Sequence, residues 1–300
     1  MSRDILTRYI WLSIAAAVTT IALKTGAWYL TGSVGLLSDA VESVINLAAA
    51  VMAMVMLKIS MLPPDANHEF GHGKAEYFSS LVEGLLIMVA AGGIAYTAAE
   101  RFINPQPVEQ IGVGLFVSLI ASIINFSVSR ILLNAGKRYR SITLEADAQH
   151  LMTDVWTSVA VIAGVGVVGL TGWLKLDSIV AFAVSLNILW TAFAIIRRSV
   201  AGLMDASLSV QELDIIESVL SRYRKKDVQF HALLTRQGAS RRFVSVHVLV
   251  QGSMSVHDAH HIAEDFEKDI RTALPDTVVF THIEPVDDEI SFVDIPLDRE

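Results

Sequence analysis

The sequence predicts an α-helical polytopic membrane protein with six transmembrane helices, followed by a cytoplasmic α+β domain in the order αββαβ. Three observations carry this expectation. Six apolar stretches of membrane length occupy the first two-thirds of the chain. Over the 300 residues, 53% are hydrophobic and 18% charged, where soluble domains carry about 25% charge. From Leu208 onward the pattern changes to amphipathic helices and alternating strands.

The apolar stretches lie at roughly 9–31, 34–60, 75–101, 110–135, 143–170 and 176–200. At about 1.5 Å per residue, each is long enough to cross a hydrocarbon core of about 30 Å. The first follows Arg3 and Arg8 but exceeds a signal-peptide core and is succeeded at once by another run, so it reads as a retained span. Arg3, Arg8, Lys58, Lys74, Lys137, Arg138, Arg140, Arg197 and Arg198 fall on one side, opposed chiefly by Arg101 and Lys175. The positive-inside rule then makes both termini cytoplasmic, in an inner (cytoplasmic) membrane. The spans define a transport domain over 1–207.

The second domain, 208–292, is expected to contain helices near 209–224 and 255–273 and strands near 228–236, 242–250 and 277–285. Alternation from Arg242 to Val250 fits a sheet with one covered face, and Pro275 ends the second helix. Dimerisation would help so small a domain bury a core. The chain after Pro285, with an acidic tail at 293–300, is expected to be disordered. Without cysteine, any metal must use His, carboxylate or amide ligands. A net charge of −8 argues against nucleic acid and suits a protein that handles cations.

Two spans carry polar pairs at helical spacing: Glu42 and Asn46 in the second, His150 and Asp154 in the fifth. The i,i+4 spacing puts each pair on one helix face. Ionisable groups at that depth cost roughly 2.5–3.5 kcal/mol each on insertion scales. Counting residues from the span ends puts Glu42 and Asp154 close to mid-membrane, with Asn46 and His150 about 10 Å from the cytoplasmic boundary. Two carboxylates, a neutral imidazole and an amide balance a divalent cation, and four N/O donors suit a tetrahedral one. The alternative is a set of interhelical hydrogen bonds joining two spans. Asp39 and Asp147 precede the pairs by three residues, either supporting the site or ending a helix in solvent.

The loop Pro63-Pro64-Asp65-Ala66-Asn67-His68-Glu69-Phe70-Gly71-His72-Gly73-Lys74-Ala75-Glu76 places Asp65, His68 and His72 within eight residues. A carboxylate and two imidazoles so spaced can converge on one ion if the glycines permit a tight turn. A polar interfacial loop is the other reading. With this loop, the six spans, the paired sites and the αββαβ domain, the whole chain resembles the cation diffusion facilitator family, particularly its bacterial zinc and iron efflux members.

The resemblance implies a homodimer in the lipid bilayer that exchanges metal for protons by alternating access, with a ferredoxin-like, metallochaperone-like cytoplasmic domain. It implies a transport site at Glu42, Asn46, His150 and Asp154, and a cytoplasmic-side loop site at Asp65, His68 and His72. It further implies a metal centre of His231, His247, His260, His282 and Glu284, where ions bridge two subunits. Lys74 and Asp205 are implied to form a charge interlock of the dimer; solvated loop charges are the alternative. The chain departs from the best-known zinc members, which have two aspartates in the second span, and in the last strand, where Ile283 and Glu284 replace a polar residue and Asp.

Zinc is the leading substrate because histidine–carboxylate sites suit it, with iron(II), manganese(II), cobalt(II) and cadmium(II) as others. An imidazole nitrogen cannot hold a metal and a proton together, which gives proton exchange a chemical basis. The ions are substrate and regulatory ligands; no catalytic cofactor and no enzymatic activity are expected. A membrane metal sensor and an intramembrane metallohydrolase are rival classes, although the His-Glu-X-X-His signature of the latter is absent.

Overall fold

The computed structural model describes residues 4–31, 34–104, 113–173, 175–225 and 227–293. It divides into two compact units, 1–203 and 204–300.

The first unit consists of six long helices: α1 (Asp4–Thr31), α2 (Val34–Ser60), α3 (Ala75–Ile103), α4 (Val113–Tyr139), α5 (Ile142–Thr171) and α6 (Lys175–Leu203). Among the described residues, Ile5–Leu30, Ala75–Ile103, Phe116–Tyr139 and Lys175–Leu203 are long and apolar enough to cross a membrane. The other two, α2 and α5, have similar length and carry the polar pairs. Large apolar side chains point outward in the manner of a lipid-facing surface: Val89, Tyr96 and Trp190 are each more than 70% exposed.

Two apolar clusters organise these helices. One joins α1, α2, α4 and α5 through Ile10, Ala53, Leu57, Leu132, Leu144 and Leu151. The other joins only α3 and α6, through Ile87, Ala91, Ile188 and Ala192. The α3–α6 approach depends on Gly202, where a Cβ would fall 2.2 Å from the Tyr77 ring. Polar contacts also join the helices: Glu76 of α3 accepts from the Ser141 hydroxyl at 2.6 Å, and Arg198 of α6 is paired with Glu145 of α5.

The second unit contains α7 (Val210–Arg224), β1 (Gln229–Gly238), β2 (Arg241–Val250), α8 (Val256–Ala273), β3 (Thr277–Pro285) and a 3-10 turn at Glu289–Phe292. Ser209 and Glu212 form a capping box that starts α7, and Ser255 caps α8 by accepting the Asp258 N–H. The sheet order is β1-β2-β3, with β1 antiparallel and β3 parallel to β2. The parallel pair requires a crossover, which α8 supplies. Val244, Val246, Val248 and Val250 lie in a core with Ile216, Leu220, Phe266 and Ile270 of the helices. The alternate positions Ser245 and His247 are half-buried on the opposite face.

One expectation is corrected. Residues 286–293 are ordered: Val286 N–H donates to the Val250 carbonyl, Asp288 caps the 3-10 turn, and Ser291 is buried with its hydroxyl on the Pro285 carbonyl. Acidic composition suggested a solvated tail, but backbone pairing with the end of β2 overrides it. Residues 294–300 lie outside the described residues.

Candidate metal sites

In the loop between α2 and α3, Asp65 accepts the backbone N–H groups of Asn67 and His68 at 2.9 and 2.8 Å, closing a turn on its own carboxylate. Gly71, at φ 82°, turns the chain again and brings His72 back. Asp65 Oδ1 lies 3.2 Å from His68 Nδ1 and Oδ2 lies 3.3 Å from His72 Nε2. The imidazole centroids are 4.4 Å apart. The Asn67 N–H, followed by the His68 donors, holds the Asp65 carboxyl below its ordinary value of 3.8. It is therefore anionic at neutral pH, as a metal ligand must be.

Within the helical unit, Asn46 of α2 stands between the two polar residues of α5. Its amide donates to Asp154 Oδ2 at 2.7 Å, and its carbonyl oxygen lies 2.8 Å from His150 Nε2. Because the Asn46 carbonyl can only accept, His150 carries the proton on Nε2 in this contact. Asn46 therefore meets both members of the α5 pair. The side chain of Glu42 lies outside the described residues, as does that of Asp39.

Asn125 of α4 also belongs here, and the sequence reading passed over it. Its amide donates to Asp154 Oδ2 at 3.0 Å; it is buried, and its carbonyl oxygen has no partner among the described residues. The signal was available: Asn125 is a polar side chain in an apolar span, as Asn46 is. Asp147 is buried, with Ser13 of α1 donating to its Oδ1 at 3.0 Å. That removes the reading in which it ends a helix in solvent.

On the sheet, register does the positioning. His231 of β1, His247 of β2 and His282 of β3 are directly paired across the three strands. A bulge between His231 and Leu234, with Ala232 at φ 50°, bends β1 beside this row. Glu284 reaches across it: Oε2 lies 2.7 Å from His231 Nε2 and 3.1 Å from His247 Nδ1, and Oε1 lies 3.6 Å from His282 Nε2. His231, His247 and Glu284 are half-buried with converging ligand atoms, while His282 is exposed at the rim. His260 is on α8 beside His261 and is not among the residues that converge within one chain. The ordered tail contributes Phe292, whose ring lies 5.9 Å from that of His231.

Lys74 and Asp205, expected to form an interlock, belong to different units. Lys74 Nζ donates to the Leu203 carbonyl at 3.1 Å in the first unit, and Asp205 accepts from Arg236 at 3.0 Å in the second.

Residues 10–204 match the family profile described as the cation efflux transmembrane domain, and residues 208–286 match the cation efflux protein, cytoplasmic domain. The chain is 47% identical over 284 residues to the uncharacterized transporter sll1263 of Synechocystis, covering 95% of this chain and 92% of that protein. It is 28% identical over 274 residues to the cation-efflux pump FieF of Shewanella oneidensis, covering 91% and 92%. The metal-bound C-terminal domain of the CzcD transporter from Thermotoga maritima is 29% identical, with 27% of this chain and 99% of that one covered and a TM-score of 0.25.

Proposed function

Since this chain belongs to the cation diffusion facilitator family, and is thus a cation efflux transporter and not an enzyme, we propose that it exports divalent transition metals, zinc foremost, in exchange for protons. The observation that carries this reading is the meeting of Asn46, His150 and Asp154 across α2 and α5. A cation entering there replaces hydrogen bonds that hold the helices together. Asp154 supplies charge, His150 a nitrogen donor and Asn46 an amide oxygen, with Glu42 as the second carboxylate. That donor set suits zinc, iron(II), manganese(II), cobalt(II) and cadmium(II). Protonation of the ligands from the outer side releases the ion, and alternating access returns the protons inward.

The other clusters have different roles in this reading. Asp65, His68 and His72 form a binding site on the cytoplasmic side. His231, His247, His282 and Glu284 hold regulatory metal, with His260 supplied across the interface of a homodimer. Lys74 and Asp205 interlock that dimer. The protein resides in the inner (cytoplasmic) membrane with both termini inside. Flux into vesicles, measured metal by metal with and without an imposed pH gradient, tests the proposal. Zinc accumulation driven by the gradient supports it; metal binding without flux would instead make the protein a membrane sensor.

A further inference from the structure

The side chains of α8 divide by helix face. Ala259, Ala263, Phe266 and Ile270 are buried and set the inward face. At 3.6 residues per turn, His257, His261 and Glu264 fall on the opposite side, and all three are exposed. Burial therefore does not bring these imidazoles together. They stand in contact all the same: the rings of His257 and His261, one turn apart, have centroids 4.5 Å apart and meet edge to face at 78°.

That spacing is the one found in the clusters already described. His68 and His72 of the loop, also i,i+4, have centroids 4.4 Å apart, and the sheet pairs His231–His247 and His247–His282 stand at 4.9 and 5.0 Å. Two imidazoles sharing one ion through Zn–N bonds of about 2.0–2.1 Å have centroids on the order of 5 Å apart. The neighbouring acids differ in availability. Asp258 is committed to the helix start, where it accepts from the Ser255 hydroxyl at 2.6 Å. Glu264, one turn beyond His261, meets Arg271 at 4.0 Å, a loose contact beside the 2.9 Å bond from Arg271 to Glu267.

We infer that His257 and His261 form a bidentate clip for a divalent transition-metal ion on the outer face of α8, separate from the loop and sheet clusters. The helix backbone sets the distance between the two rings, so little freedom is lost when one ion joins them. Glu264 and water complete the coordination. Imidazole donors on an exposed surface suit zinc, copper(II) and nickel(II). The position has a consequence. His260 lies in the same turn, its ring centroid 6.0 Å from that of His261, so an ion taken from solution by the clip waits beside the residue assigned to the dimer interface. That loading role rests on the homodimer reading; the clip itself does not.

The full-length protein in lipid provides the test, with copper(II)–iminodiacetate as the probe because its chelator leaves room for a pair of imidazoles. Electron paramagnetic resonance counts the bound copper with two nitrogen donors, and differences between variants isolate α8 from the other clusters. His257→Ala and His261→Ala should each remove one such copper per chain, the double variant should remove no more, and His260→Ala should keep it. Wild-type copper binding in either single variant would overturn the proposal, since independent surface imidazoles do not chelate. Zinc titrated by calorimetry should bind one site per chain roughly 100-fold more weakly once either histidine is lost, because the second donor no longer acts within the molecule. Isotherms identical to wild type would overturn zinc as an occupant. Zinc-linked dimerisation that ignores His260→Ala while the copper signal persists would instead overturn the homodimer role of His260 and leave the clip standing.

Discussion

The intramembrane and sheet clusters use similar side chains on opposite kinds of scaffold. On the sheet, His231, His247 and His282 are neighbours because strand register makes them so, and Glu284 lies two residues along the same strand face as His282. Moving one of them requires breaking the ladder. In the helical unit, Asn46, Asn125, His150 and Asp154 come from three helices that touch only through side-chain packing. A small rotation or translation of α2 against α5 separates Asn46 from both partners. The first scaffold suits holding an ion, and the second suits releasing one.

The sharpest way to break this comparison is Asp154→Ala. It removes a ligand charge and the acceptor of two amide hydrogen bonds, so zinc flux should fall to that of empty vesicles while the folded assembly survives size-exclusion analysis. Wild-type uptake would mean that the helix cluster is interhelical bonding and nothing more. Asn125→Ala should have the next largest effect. Asn125 orients Asp154 from α4, and loss of such a support typically costs about 10–100-fold in metal affinity or activity. Cobalt(II) titration and flux on one preparation measure both; an unchanged affinity would remove Asn125 from the site.

The contrast between scaffolds also explains what could be read from sequence. Helix and strand positions followed from apolar period and length, which act locally; the residues of the row His231–His247–His282 came from the family resemblance, and their alignment depends on the register shift in β1, which the sequence pattern does not report. The polar pairs of α2 and α5 stood out because ionisable groups at membrane depth are expensive. Asn125 carried the same signal without an ionisable residue four positions away, and only packing reveals which neighbours it meets. The tail was misread for a related reason. Its order comes from Val286 pairing with Val250 and from a buried Ser291, which acidic composition does not report.

His247→Ala combined with His282→Ala sharpens the comparison from the other side. If the sheet cluster holds ions and does not conduct them, zinc flux should persist with a few-fold loss at most. Metal-linked stabilisation should disappear; for one site at 100-fold excess over Kd it is worth about 2.7 kcal/mol. Thermal unfolding with and without zinc, paired with flux, measures both. Abolished flux with normal stability would make the sheet cluster an obligatory step.

The smallest expected effect concerns Phe292, which packs on His231 from the ordered tail. An aromatic pair contributes about 0.5–1.5 kcal/mol beyond area burial, and Phe292 is 55% exposed, so the low end applies. Phe292→Ala should therefore lower Tm slightly. It should also reduce the rise in Tm produced by zinc, because the His231 ring loses the neighbour that limits its orientations before metal arrives. Transport at saturating zinc should not change, since Asn46, His150 and Asp154 are untouched. A zinc-linked rise in Tm equal to that of wild type would show that the tail covers the sheet without ordering its ligands. The rigidity of the cluster would then come from strand register alone.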